Sequence, residues 1–380
     1  MNFEFTEEQK MIQQAAKDYA QRELIKDAIE RDEKAEFPAK HIKNLAGLGF
    51  LGMMTDPKYG GGGMDAISYV LAIEELSKVD SSVSVVVSVC NSLVNWGIEI
   101  YGTEEQKEKY LKPLARGEKI GAFLLSEPEA GSDASSQRTM AEDKGDYYLL
   151  NGTKNWISNA NSASTYVVIA QTYPEKKYRG INAFIVEKDS PGISLGKHED
   201  KMGMRSSDTH SVMFTDVKVP KGNRIGEDGF GFKYAMKVLD GGRIGIAAQA
   251  LGIASGAFDL ALKYSKERKA FGTEICNHQA IAFKLSDMAV KIEAARFFCL
   301  KAAWLKDNNM PYGIASAMAK QYSADIAMEV TTEAVQIHGG YGYVKEYHVE
   351  RLMRDAKLTQ IYEGTSEIQK IVISRSLLKD

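Results

Sequence analysis

Tyr147-Tyr148-Leu149-Leu150, closed by Asn151-Gly152, is a short aromatic and apolar run that stops at a turn signal. The runs Thr165 to Ala170, Ala183 to Val186 and Ser211 to Phe214 have the same character, and Gly, Asn, Asp and Pro separate them. They define a small all-β region of the barrel or sandwich kind. The apolar period changes into this region near Ile120 and leaves it at Gly229. On the N-terminal side, Thr6-Glu7-Glu8-Gln9 has capping-box spacing and opens an amphipathic stretch expected to run to about Arg31. Pro38 starts a second helix that Gly47 and Gly49 end, and Asp65 to Val79 is a third. Ser81 to Ile100 fits helix or strand by pattern, and its helical neighbours favour a buried helix. Thr103-Glu104-Glu105-Gln106 repeats the capping-box spacing. On the C-terminal side, Phe230 to Arg268, Gln279 to Asp307 and Ile314 to about Ile337 are long helical patterns with brief connections, which suits an antiparallel bundle.

The expected fold class is therefore α+β multidomain. An N-terminal α-helical domain spans 1–120, a middle β domain 121–228 and an antiparallel four-helix-bundle-like domain 229–380. Strands and helices do not alternate, which argues against a doubly wound nucleotide fold. At about 150 residues per domain, 380 residues suit two or three domains. A net charge of -3 recommends neither nucleic acid nor an anionic membrane. Apolar runs such as Val83 to Val89, with interspersed serines, read as too short and too polar to span a bilayer. The acidic start Met1-Asn2-Phe3-Glu4-Phe5 lacks signal-peptide order, so the expected location is cytoplasmic. Cys90, Cys276 and Cys299 lie far apart and suit a reducing compartment, and the scattered histidines suggest no metal site.

Two glycine motifs mislead. Gly47-Leu48-Gly49-Phe50-Leu51-Gly52 matches GxGxxG but follows a helix, so it reads as a helix stop and tight turn. Gly60 to Gly63 has no Lys-Ser/Thr after it and reads as a mobile loop.

Gln360-Ile361-Tyr362-Glu363-Gly364-Thr365-Ser366-Glu367 carries the candidate chemistry. It places one carboxylate between an aromatic and a glycine, just ahead of a helical apolar run, at a loop-to-helix junction. On residue types alone, Glu363 reads as a solvated surface carboxylate and Thr365 as an ordinary helix cap. Four further stretches change that reading. They are Leu125-Ser126-Glu127-Pro128 leading to Ala130-Gly131-Ser132-Asp133; Lys154-Asn155-Trp156-Ile157-Ser158-Asn159; Arg268-Lys269-Ala270-Phe271-Gly272 with His278-Gln279; and Gln336-Ile337-His338-Gly339-Gly340 before Arg354-Asp355-Ala356. Together, in order and across the whole chain, these stretches resemble the acyl-CoA dehydrogenases. Asp240-Gly241-Gly242-Arg243-Ile244-Gly245-Ile246-Ala247 is similar to the short-chain, butyryl-CoA branch.

The resemblance implies FAD-dependent conversion of a short-chain acyl-CoA to the trans-2-enoyl-CoA, a step of fatty acid β-oxidation. Glu363 would take the α-proton and flavin N5 the β-hydride, with electrons passing to an electron-transferring flavoprotein. It places Leu125, Ser126, Trp156, Ile157 and Ser158 at the flavin ring, and Ser132 near the pyrophosphate and the thioester ligand. It places Arg268, Phe271, Gln279, Gln336, Gly339 and Gly340 on the flavin of a neighbouring subunit, and Thr365 and Glu367 at the flavin. Tyr362 and Gly364 would touch substrate, and Asp240 and Arg243 the coenzyme A and acyl-thioester portions. The resemblance also implies a homotetramer, and grips across subunits require at least a dimer.

Elementary chemistry agrees with the resemblance. Taking two hydrogens from adjacent unactivated carbons needs a hydride acceptor that side chains cannot supply. The weakly acidic α-proton needs a base strengthened by desolvation, and donors for the thioester carbonyl; the family uses the N–H of the base residue and a ribityl hydroxyl. Some branches place the base just before the arginine matching Arg243; here that residue is Gly242, so Glu363 is the candidate. No arginine near Asn91 supports a glutaryl-type substrate. The rival readings are a reductase running the same chemistry backwards, and a relative that keeps the flavin without catalysis.

Overall fold

The structure, a computed structural model, describes residues 4–379. The Thr6 hydroxyl accepts from the Gln9 N–H and the Gln9 side chain accepts from the Thr6 N–H, so the expected capping box starts α1 (Glu7–Arg22). This helix stops short of Arg31. A 3₁₀ turn, Leu24–Lys26, separates it from α2 (Ala28–Lys34). The break turns Arg31 inward, where its guanidinium pairs with Asp27 at 2.9 Å and with buried Asp80 at 2.7 Å. A buried charge needs such partners, and here they outweigh continuing the helix. After Pro38 comes α3 (Ala39–Gly47), then Gly49 in the left-handed region at φ 81°. The glycine run 60–63 is pinned and does not form the expected mobile loop. Gly62, Gly63 and Met64 donate to the carbonyls of Gly52, Thr55 and Met53 at 2.9, 2.9 and 2.8 Å.

The next helix is α4 (Ala66–Ser77). The run that fitted helix or strand is helix: α5 (Ser81–Ser88), a π turn (Val89–Asn95) and α6 (Trp96–Tyr101). The π turn is where side chains bond into the backbone. Asn91 donates to the carbonyls of Val87 and Phe50 at 2.9 and 2.8 Å, and Ser92 to that of Ser88 at 2.7 Å. Because helix continues through the turn, Ser81–Tyr101 is by length and composition long and apolar enough to cross a membrane, contrary to the sequence expectation. So is α9 (Gly231–Glu267). In both, 83% of the most apolar window is buried within the protein, so their apolarity is that of core helices. The second capping box starts α7 (Glu104–Gln106), which a π turn joins to α8 (Lys112–Ala115).

The strands are β1 (Gly121–Leu124), β2 (Met140–Asp143), β3 (Tyr147–Ser158), β4 (Thr165–Gln171), β5 (Ile181–Glu187), β6 (Ile193–Leu195), β7 (Thr209–Pro220) and β8 (Arg224–Ile225). They form one sheet in the order β6-β7-β3-β2-β4-β5-β8, with β1 beside β4. Pairs are antiparallel except β1 and β2 against β4. The two-residue period sorts β4 into two cores. Tyr166, Val168 and Ala170 join Tyr148, Leu150 and Phe184 inside the sheet domain, while Val167 and Ile169 face Val94, Ile98, Leu111 and Tyr234 on the helices.

A hairpin of β9 (Lys269–Ala270) and β10 (Thr273–Glu274) follows α9. Then come α10 (Gln279–Asp307), α11 (Gly313–His338), α12 (His348–Thr359) and α13 (Ser366–Leu377). The helices before and after the sheet share one hydrophobic core, in which Val70, Ile73 and Val86 meet Leu251, Ile253, Ala302 and Ala327. Gly252 makes that contact possible: a Cβ there would lie 2.4 Å from the Glu74 carbonyl oxygen, so α9 and α4 meet nearly backbone to backbone.

Candidate active site

Glu363 and Gly364 sit in the turn between α12 and α13, both in the left-handed region at φ 52° and 92°. For a glutamate this costs about 1 kcal/mol or more, and such strain persists only where surroundings hold it. Three side chains hold it. Lys320 on α11 donates to the Gly364 carbonyl at 2.7 Å, and Gln369 on α13 donates to the carbonyls of Glu363 and Gly364 at 3.2 and 2.8 Å. Thr365 caps α13 by accepting from the Ile368 N–H at 3.3 Å.

Although Glu363 as a residue is half-buried, its Oε2 is sealed from solvent and has no hydrogen-bond partner. Burial pushes its carboxyl up to about 7, against the opposing pull of Lys320 and Arg243. The carboxylate lies against α9 and the π turn. A Cβ on Gly242 would fall 2.1 Å from Glu363 Oε2 and 2.7 Å from Leu93 Cδ2. Gly242 thus does more than lack a base: its missing side chain is the space that Glu363 occupies. Beside it, buried Arg243 donates to Asp240 at 2.6 Å and keeps an unpartnered Nε. Tyr362 donates its hydroxyl to Gln249 and packs between two hydrophobic clusters.

This turn opens on a cavity of about 670 Å³. Glu363, Tyr362, Gly364 and Arg243 line it. So do Leu125, Ser126, Ser132, Trp156, Ile157 and Ser158. Trp156 stands at a β3 bulge, between Lys154 and Ile157, with φ 61°; the bulge turns its indole outwards, 62% exposed. The loop that carries Ser126 is fixed by a buried ion pair. Lys154 donates to Glu127 at 2.7 Å, to the Leu125 carbonyl at 3.1 Å, and to Gln137. Glu127 in turn accepts from the N–H groups of Arg138 and Thr139 at 2.6 and 3.0 Å. An uncovered indole face beside two serines and an apolar cavity fits a planar, hydrogen-bonding heteroaromatic ring such as a flavin.

The remaining predicted residues are elsewhere. Arg268, Gly339 and Gly340 line a separate cleft of about 510 Å³ with Tyr264 and Tyr341, and the Arg268 guanidinium lies 5.6 Å from the Tyr341 ring centre. Gln279 and Gln336 are exposed and outside that lining, and Phe271, at the hairpin tip, is 98% exposed. Asp240 holds Arg243 without lining the cavity, and neither Thr365 nor exposed Glu367 lines it. Sequence reasoning gave no role to Lys320, Gln369, Lys154 or Glu127. The last two stood inside quoted motifs. A lysine sharing a strand face with Leu150 and Gly152 was the available signal for Lys154, whereas Lys320 had none.

Models of the acyl-CoA dehydrogenase N-terminal, middle and C-terminal domains match residues 6–118, 122–217 and 229–378. Over 379 residues, the whole of both chains, the sequence is 50% identical to the short-chain specific acyl-CoA dehydrogenase of Clostridium acetobutylicum. It is 49% identical over 376 residues, 99% of each chain, to the caffeyl-CoA reductase-Etf complex subunit CarC of Acetobacterium woodii. The solved structure of butyryl-CoA dehydrogenase from Megasphaera elsdenii matches with a TM-score of 0.98 at 50% identity, over 100% of both chains.

Proposed function

The chain belongs to the acyl-CoA dehydrogenase family, and we propose that it oxidises a short-chain acyl-CoA to the trans-2-enoyl-CoA with Glu363 as base. It is a flavin-dependent oxidoreductase acting on CH–CH bonds. The observation that carries our reading is the sealed, unpartnered Glu363 oxygen at a cavity that Trp156 also lines. A carboxyl poised near neutrality is a stronger base than a solvated one and is still substantially ionised at working pH. In this reading Glu363 takes the α-proton, and its own backbone N–H donates to the thioester carbonyl, where negative charge develops. Arg243 steadies the acyl-thioester end, Tyr362 and Gly364 flank it, and Leu93 and Ile157 exclude water. Trp156, Ser126 and Ser158 would hold the ring of FAD, and Ser132 would lie near its pyrophosphate. Bound there, FAD supplies the acceptor for the β-hydride at N5.

Arg268, Phe271, Gln279, Gln336, Gly339 and Gly340 serve a neighbouring subunit's FAD in a homotetramer, with Thr365 and Glu367 completing the contacts. Arginine suits that pyrophosphate because its fork donates in pairs. The electron partner is an electron-transferring flavoprotein, and the location is cytoplasmic. The same residues serve the reverse reaction, and the likeness to a caffeyl-CoA reductase complex subunit makes enoyl-CoA reduction the second reading. Anaerobic mixing of the FAD-loaded protein with a panel of acyl-CoAs tests the activity. Butyryl-CoA is expected to bleach the flavin absorbance; no bleaching by any acyl-CoA would refute the reading.

A further inference from the structure

Behind the Glu363 turn lies a charge that the turn alone does not explain. Lys320 is 0% exposed and forms no ion pair among the described residues; its ammonium donates to the Gly364 carbonyl. Burying an ammonium costs several kcal/mol unless it is compensated. A carbonyl needs only a neutral donor, and Gln369 already supplies one to the same Gly364 oxygen. The cation is therefore excessive as a loop clamp, but it sits where it can act on the neighbouring carboxylate.

We infer that Lys320 is a positioning residue for Glu363, holding the left-handed turn so that the carboxylate faces the cavity and setting with its charge how readily that carboxylate ionises. The inference rests on Glu363 being the base. The other charged and titratable groups around the pair are Arg243 with its partner Asp240 on α9, Tyr69 on α4, Tyr362 next to Glu363, and Asp325 and Glu367 towards Lys320. Glu363 and Lys320 pull against their own burial. The carboxyl is pushed up to about 7 and the ammonium down to about 8, and each partner's charge moderates the other's shift. Removing the cation leaves Glu363 with its desolvation less opposed, so its pKa must rise.

The test is an infrared titration of the Glu363 carboxyl band, isolated by subtracting the Glu363→Gln spectrum, in the wild type and in Lys320→Met. The expected midpoint in Lys320→Met is higher by about one pH unit or more, and the acid limb of flavin reduction by butyryl-CoA moves with it. An unmoved midpoint in a folded Lys320→Met protein overturns the inference. Gln369→Leu removes a donor but no charge, so it should slow flavin reduction about tenfold with KM and the acid limb unchanged. If Lys320→Met does not fold, Lys320→Gln, which keeps a donor for the Gly364 carbonyl but carries no charge, decides: a raised midpoint supports the inference and an unmoved one overturns it. A wild-type protein that no acyl-CoA bleaches would refute the dehydrogenase reading instead, and the infrared comparison would still stand.

Discussion

Glu363-Gly364 and Phe271-Gly272 are the same backbone device in opposite surroundings. Each is a non-glycine residue at φ 52° followed by a left-handed glycine, at φ 92° in the first and 83° in the second. In the first, the side chain ends in a sealed oxygen, and the turn is held by Lys320, Gln369 and the capping Thr365. In the second, the turn joins two two-residue strands and displays its phenylalanine at 98% exposure. Strain of this kind is stored where surroundings hold it. The buried turn finds those surroundings within its own chain. The exposed one displays a large apolar side chain three residues after Arg268, an arrangement suited to a second subunit. The comparison separates a turn held within one chain from a turn left exposed.

The sharpest way to break the comparison is to change the buried turn chemically. Glu363→Gln keeps size but cannot accept the proton. Turnover should fall by at least ~10²–10⁴-fold while FAD stays bound, measured as kcat with an artificial electron acceptor. Gly242→Ala changes the same turn sterically. Its Cβ would meet Glu363 Oε2 at 2.1 Å, and a displacement of about 1 Å in the base is expected to lower kcat ~10²-fold. On the exposed side, Arg268→Ala should weaken FAD retention by about 10–100-fold and loosen the oligomer at the same time. Equilibrium dialysis together with sedimentation checks this; unchanged FAD affinity would make Arg268 a plain surface charge.

Chain length is a smaller effect. Butyryl- and hexanoyl-CoA should exceed dodecanoyl-CoA in kcat/KM, because each methylene left outside a closed pocket forfeits about 0.8 kcal/mol. The smallest effect is on stability. The folded pKa of Glu363 is raised, so its contribution is fully present below the unfolded value of 4.5 and is lost as pH rises through about 7. Glu363→Gln removes that loss, so its Tm should gain on the wild type between about pH 5 and 8; thermal melts check the sign.

The long helices and the α-β-α order were legible because period and capping are local properties. The Thr6 and Thr103 boxes form as their spacing predicts. The early end of α1 was not legible, because it depends on Arg31 reaching Asp80, forty-nine positions away. Nor was the π turn, which follows from Asn91 bonding to the distant Phe50 carbonyl. The motifs named Trp156 and Glu363, but not the positive φ at either residue or the space left by Gly242. Lys320 lay in an ordinary helical pattern, and only tertiary packing shows what its ammonium faces.

The claim that Glu363 removes the α-proton is tested most directly by following that proton. FAD-loaded wild type and Glu363→Gln are each incubated anaerobically with butyryl-CoA in D₂O, and deuterium at the α-carbon is read by NMR. The wild type should wash deuterium into the α-position, and Glu363→Gln should show no exchange above that of butyryl-CoA alone. Exchange at the wild-type rate in Glu363→Gln would contradict the account, because another group would then be moving the proton.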